Sequence, residues 1–161
     1  MKSIVILVDT REQVNEHITK YFDAMKIAWK TQKLDTCDYS FMLPANPELG
    51  IPRDLYFDKL IAIERKANLD ELANNACKER DRIKKELTFA PQNKVLIIEN
   101  ASYADMVNGN YRSSYNAKSY FGTVHSWWHE FDMPFIFMED KTYTGLFIIG
   151  YFQHYLRQLI K

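Results

Sequence analysis

Residues Leu60 to Asp70, LIAIERKANLD, constrain the chain most. An apolar run (Leu60, Ile61, Ala62, Ile63) leads straight into Glu64, Arg65 and Lys66, and a new amphipathic segment follows. On a strand, successive side chains alternate between faces, so Glu64 and Lys66 share one face and Arg65 takes the other. A carboxylate and an ammonium side by side at the end of a core strand suit metal-assisted phosphodiester hydrolysis. The carboxylate would hold a divalent cation, and the ammonium would steady an attacking water or the charge of the transition state. The competing reading is a weak ion pair on a solvated strand edge.

The chain has 161 residues, 47% of them hydrophobic, enough for one domain with a sizeable core. Its 21 basic and 21 acidic residues cancel, so any attraction to nucleic acid must come from a local patch. Cys37 and Cys77 are its two cysteines. With no secretory leader at the start, they read as reduced thiols of an intracellular protein, cytoplasmic in a bacterium or a phage-infected host. No apolar run reaches the length of a membrane span, so no membrane partner is expected.

Ser3 to Val8 reads as a buried strand ending in Asp9-Thr10-Arg11-Glu12. Asp9 falls where open α/β sheets place their ligands, with a helix N-cap as the rival role. Val14, Ile18, Tyr21, Phe22 and Met25 mark a helix. Ile27 to Leu34 and Asp38 to Leu43 read as strands, and Pro44 to Asp54 as a loop. Tyr56 to Lys66 is expected as one long strand, pairing across that loop with Asp38 to Leu43 and bringing Asp38 near Glu64. Asn68 opens a helix with Glu71 as capping-box partner and Leu69, Leu72, Ala73, Ala76, Cys77, Ile83 and Leu87 as its buried stripe. Asp70 sits in its first turn, where an acid also complements the helix dipole. The opposite face carries Lys78, Arg80, Arg82, Lys84 and Lys85, the densest basic cluster in the chain. A solvated, salt-bridged helix face is the ordinary reading of such a pattern.

Lys94 to Glu99 is a further buried strand, Ser102 to Val107 a short helix, Asn116 to Phe131 a helix, Phe135 to Met138 a last strand and Thr142 to Ile160 a closing helix. This alternation predicts an α/β fold, a central mixed β-sheet flanked by helices on both sides. Asp9, Asp38, Glu64 and Asp70 then fall at strand ends or at the start of the following helix. Acids converging on one pocket repel each other unless a cation neutralises them, and hard oxygen ligands suit Mg²⁺ or Mn²⁺.

These residues carry a family resemblance. Asp9, Arg11 and Glu12 after the first strand, Asp38 and Tyr39, and then Glu64, Arg65, Lys66 and Asp70 resemble the XPF-type nuclease domain of structure-specific DNA endonucleases. The resemblance implies a restriction-endonuclease-like fold over residues 1–161 as a single domain without a helix-hairpin-helix module, most similar to small stand-alone bacterial and phage members. It implies Asp9, Asp38, Glu64, Lys66 and Asp70 as the catalytic set, Asp38, Glu64 and Asp9 as metal ligands, and Arg11, Glu12 and Arg65 in support. Arg65, Lys78, Arg80 and Arg82 are the expected phosphate contacts. Mg²⁺ or Mn²⁺ is the implied cofactor. DNA in repair, recombination or replication is the implied substrate, and a homodimer through this domain is the implied assembly. The family's glycine before Asp38 is Cys37 here, which strains the backbone if a positive φ is needed.

Two rivals stand beside this reading: a nonspecific nuclease on the same fold, and a catalytically inactive DNA-binding or scaffold subunit. A metabolic α/β enzyme lacks support, since there is no glycine-rich phosphate loop and no nucleophile elbow. His125 and His129, four apart on a helix, lack a third ligand. Tyr111, Arg112, Ser113 and Lys118 form a polar loop that reads first as an ordinary surface connection and second as a backbone grip.

Overall fold

A computed structural model describes residues 4–161; Ser3, the expected start of the first strand, lies outside them. The elements run β1 (Val5–Val8), α1 (Glu16–Ala24), β2 (Trp29–Thr31), β3 (Tyr39–Leu43), β4 (Leu55–Tyr56), β5 (Ile61–Lys66), α2 (Leu69–Lys78), α3 (Arg80–Phe89), β6 (Asn93–Glu99), α4 (Tyr103–Val107), α5 (Ala117–Glu130), β7 (Phe135–Met138) and α6 (Thr144–Leu159). The strands form one mixed sheet in the order β2-β1-β3-β5-β6-β7, with β4 added to β3. β5, β6 and β7 are parallel, which the helical crossovers between them allow, whereas β3 runs antiparallel to both β1 and β5.

Alternation along the strands feeds two cores. Ile6, Tyr39, Phe41, Ile63 and Ile97 face α1 and α6, packing on Ile18, Phe22, Ile148 and Phe152. Leu96, Ile98 and Phe135 face the other way, onto Leu72, Ile83, Val124 and Trp127 of α2, α3 and α5. The buried stripes of α5 and α6 pack into these cores, while Phe121, Trp128, Leu146 and Leu159 stay exposed. Gly145 lets α6 lie close to α1, since a Cβ there would sit 2.6 Å from Cδ1 of Tyr21.

Several expectations are corrected by packing. The strand expected over Tyr56 to Lys66 is broken by a turn in which Leu60 and Ile61 donate their N–H groups to the Phe57 carbonyl, and Leu60 is exposed. The register with β6 begins at Ile61, and the chain before the turn pairs with β3 alone, as β4. The helix expected to run unbroken from Asn68 through Leu87 divides at Glu79, whose φ of −126° lies outside the helical range. Cys77, expected in its buried stripe, is exposed. Val14 and Met25 are exposed because they flank α1 rather than belong to it, Val14 at a φ of 50°. In α5 the buried tryptophan is Trp127, three residues from Val124 and four from Phe131, while Trp128 is partly exposed and stacks on Phe135.

Candidate active site

Asp38 enters β3 stitched between two neighbours. Its N–H donates to the Ile63 carbonyl at 2.9 Å, and its carbonyl accepts from Asp9 N–H at 2.8 Å. Its side chain lies at the end of β5, where Oδ2 accepts the Arg65 N–H at 2.7 Å. Glu64 and Lys66 leave β5 on one face, with Lys66 Nζ 3.0 Å from Glu64 Oε1. Both are largely buried, at 12% and 7% side-chain exposure. Burial pushes the Asp38 carboxyl well up, and Glu64 and Glu12 push it further, against the Arg65 N–H and Lys66. Glu64 is raised too, by burial and by Glu86 and Glu12, although Lys66 opposes this. Burial pulls the Lys66 ammonium down, but Glu64 and Asp38 outweigh it and the net shift is upward. Lys66 is therefore a hydrogen-bond donor and a fixed positive charge, not a base.

Arg65 goes to the opposite face, and its placement corrects the expectation of a phosphate contact. It is 6% exposed. Its guanidinium donates to Glu12 Oε2 at 2.8 Å, to the Gln13 carbonyl at 2.8 Å and to Glu99 Oε1. Glu99 Oε2 in turn accepts from Thr144 Oγ1 at 2.6 Å and meets His17 Nε2 at 2.6 Å. This network ties β5 and β6 to both α1 and α6.

The other expected residues divide. Asp9 is buried, with Oδ1 accepting from Leu34 N–H at 2.8 Å and Oδ2 from Arg11 Nε at 2.7 Å. It caps no helix, since Asn15 precedes α1. Asp70 Oδ1 accepts from the N–H groups of Arg112 and Ser113 at 2.9 and 2.7 Å, pinning the Tyr111–Lys118 loop onto α2. Lys78 and Arg82 are exposed. Arg80 is tied to α5, 3.4 Å from Thr123 Oγ1 and 5.3 Å above the Trp127 ring. His125 Nε2 lies 2.8 Å from Tyr103 Oη.

Cys37 has a φ of 65°, so the glycine-like turn is kept despite the side chain. Its thiol helps to wall a cavity of about 10 Å³ with Glu64, Lys66, Thr36 and Glu86. Beyond Thr36 and Glu86 opens a groove of about 490 Å³ along α3. Glu86 escapes a sequence reading because it sits on a helix crowded with charges; its one signal is its place three residues after Ile83, at the border of the buried stripe. Likewise Glu99 reads as the end of a strand, with nothing to announce His17 and Thr144 as its partners.

Among the described residues, no group of three or more acids, histidines or cysteines gathers to hold a metal ion. The test of fit is therefore the pair Asp38 and Glu64. Each is largely buried, each is raised by that burial, and each has one carboxylate oxygen without a protein hydrogen bond among the described residues. Mg²⁺ commonly takes one or two carboxylates and completes its shell with water and phosphate. The donors fit such an ion. Asp9, with both oxygens engaged, is not needed for the fit.

The profile of the ERCC4 domain matches residues 8–150. The chain belongs to the ERCC4 domain family. No curated protein matches the sequence. Among solved structures, XPF from Aeropyrum pernix is similar, with a TM-score of 0.63 and 16% identity over 92% of this chain and 60% of that one. XPF from Aeropyrum pernix in complex with DNA gives a TM-score of 0.65 and 14% identity, covering 96% of this chain and 66% of that one. The ERCC4 chain described here thus spans about two thirds or less of those relatives. The likeness establishes the fold, a restriction-endonuclease-like mixed sheet with helices on both faces, in agreement with the sequence reading. Among the described residues, no helix is long and apolar enough to cross a membrane.

Proposed function

We propose that the chain is a divalent-metal-dependent DNA endonuclease acting on branched or partly single-stranded DNA, in repair, recombination or replication. One observation carries this reading: Asp38, Glu64 and Lys66 meet on one face at the end of β5, largely buried, with two acids sharing one ammonium. Asp38 and Glu64 would hold Mg²⁺ or Mn²⁺. Such an ion supplies Lewis acidity toward the scissile phosphate and toward a bound water. Lys66, kept charged by the two acids, donates a hydrogen bond to the nucleophilic water or to the developing negative charge. Glu64 orients that ammonium from 3.0 Å. The Arg65 N–H fixes the Asp38 carboxylate, so β5 itself sets the spacing of the acids. Arg82 and Lys78, exposed on the basic face, suit contacts to backbone phosphates, with Arg80 behind them. Asp9 and Asp70 act as positioning residues, one for the turn that carries Arg11, the other for the loop at Arg112. Intracellular action on DNA and pairing of two copies through this domain belong to the same reading.

The DNA complex of the XPF relative supports the substrate class. The test is incubation of the purified chain with Mg²⁺ or Mn²⁺ and end-labelled fork, flap, junction and continuous duplex. Cleavage of the branched forms over duplex is expected. Equal cleavage of all forms makes the enzyme a nonspecific nuclease, and binding without cleavage under either metal makes it a scaffold. Light scattering on the same preparation reads the pairing.

A further inference from the structure

The groove along α3 has no part in the chemistry above. It measures about 490 Å³, within the size range of small-molecule sites. It shares Thr36 and Glu86 with the cavity that holds Glu64 and Lys66, so a strand lying at the acids continues into it. Phe89 forms part of its wall and is 73% exposed, more than any other aromatic residue among the described ones. The fold gives that ring no work. The buried positions of α3 are Ile83 and Leu87, and the chain leaves the helix at Ala90 directly after Phe89. Lys85 also lines the groove and, among the described residues, takes no part in the ion pairs of its helix, which belong to Arg82, Lys84 and Glu86. Arg82, also in the wall, pairs with Glu79 at 2.7 Å and Glu86 at 3.5 Å, yet more than half its side chain stays in solvent.

We propose that this groove is a subsite for an unpaired nucleotide next to the scissile phosphate, with Phe89 stacking on the base and Lys85 and Arg82 meeting the flanking phosphates. The proposal rests on the nuclease reading and adds where the single-stranded arm of the substrate lies. A paired base has both faces covered by its neighbours, whereas an unpaired one offers a face to an aromatic ring. Asp35 and Asp58 line the same groove, so its charge is close to balanced and stacking supplies most of the affinity. Salt therefore weakens this contact less than it weakens ordinary phosphate binding.

The test uses the full chain with Phe89→Ala and Phe89→Trp, since an exposed ring can be exchanged without disturbing the core. In Ca²⁺, fluorescence anisotropy with a labelled oligothymidine should show Phe89→Ala binding about fivefold weaker or worse, the loss expected for one base–aromatic stack. Phe89→Trp should retain affinity and lose tryptophan emission on binding. With Mg²⁺ or Mn²⁺, the preference for DNA carrying an unpaired nucleotide at the cut over continuous duplex should fall by a similar factor in Phe89→Ala and return in Phe89→Trp. If wild type cleaves and Phe89→Ala matches it in both assays, the subsite is refuted and the nuclease reading stands. If no DNA is cut but Phe89→Ala loses oligothymidine affinity, the nuclease reading falls and takes the placement beside a scissile phosphate with it, leaving Phe89 as a single-strand contact.

Discussion

The two faces of β5 treat charge in opposite ways. Toward α1 and α6, Arg65 and Glu99 sit in a saturated network in which each carboxylate oxygen of Glu99 has a partner: Arg65 on one, Thr144 and His17 on the other. Toward α2 and α3, Asp38, Glu64 and Lys66 are somewhat less deeply set and shorter of partners, with both acids raised chiefly by burial and one ammonium between them. Three consecutive residues supply both environments, because the pleat sends Arg65 one way and its neighbours the other. The satisfied side fixes the position of the strand. The unsatisfied side keeps its charge available for something from outside the chain.

Substitutions on the two faces should separate activity from stability. Glu64→Gln or Lys66→Met should lower cleavage by about 10³-fold or more while the fold persists, as for loss of a group that stabilises transition-state charge; cleavage at the wild-type rate with an unaltered circular dichroism spectrum would remove both from the site. Arg65→Met leaves Glu99 and Glu12 buried without their cation, and should cost about 3–5 kcal/mol in urea unfolding. A loss confined to activity, with stability intact, would mean that Arg65 does not anchor the sheet.

Asp38→Asn should abolish cleavage yet raise the melting temperature of the cation-free chain by a few degrees, the response to about 1 kcal/mol in a domain of this size. The sign follows from linkage. The folded-state pKa of Asp38 lies above its ordinary 3.8, so the unfolded chain releases that proton first. Stability accordingly falls as pH climbs from 3.8 through the folded value, and the amide variant lacks that decline. Mg²⁺ or Mn²⁺ should restore stability to wild type and do nothing for the variant. The smallest effect is expected from His17→Gln, which sits at the half-open rim of the network and should cost about 0.5–1.5 kcal/mol, one hydrogen bond's worth.

Local pattern made much of this legible. The apolar run into Glu64, Arg65 and Lys66 announced both a strand and the split of its charges, and Asp38 at the start of the neighbouring strand announced their meeting. What stayed hidden depends on contacts distant in the chain. Asp9 is held by the Leu34 N–H, 25 residues away, and Asp70 by a loop 42 residues on. Neither bond leaves a trace in spacing. The break at Glu79 was equally silent, since the apolar positions of α2 and α3 keep a helical rhythm across it. Arg65 was misread as a surface contact because an arginine between two charged residues looks solvated until Glu12 and Glu99 are seen around it.

The turn at Cys37 gives the molecule a built-in reporter. That thiol is buried, and burial together with the Glu64 and Asp38 carboxylates pushes it well up, so it stays protonated and slow to alkylate. Cys77 stands in solvent. Once Cys77 has been capped, the pace at which a maleimide reaches position 37 measures how often the wall beside the acids breathes, with no mutation introduced.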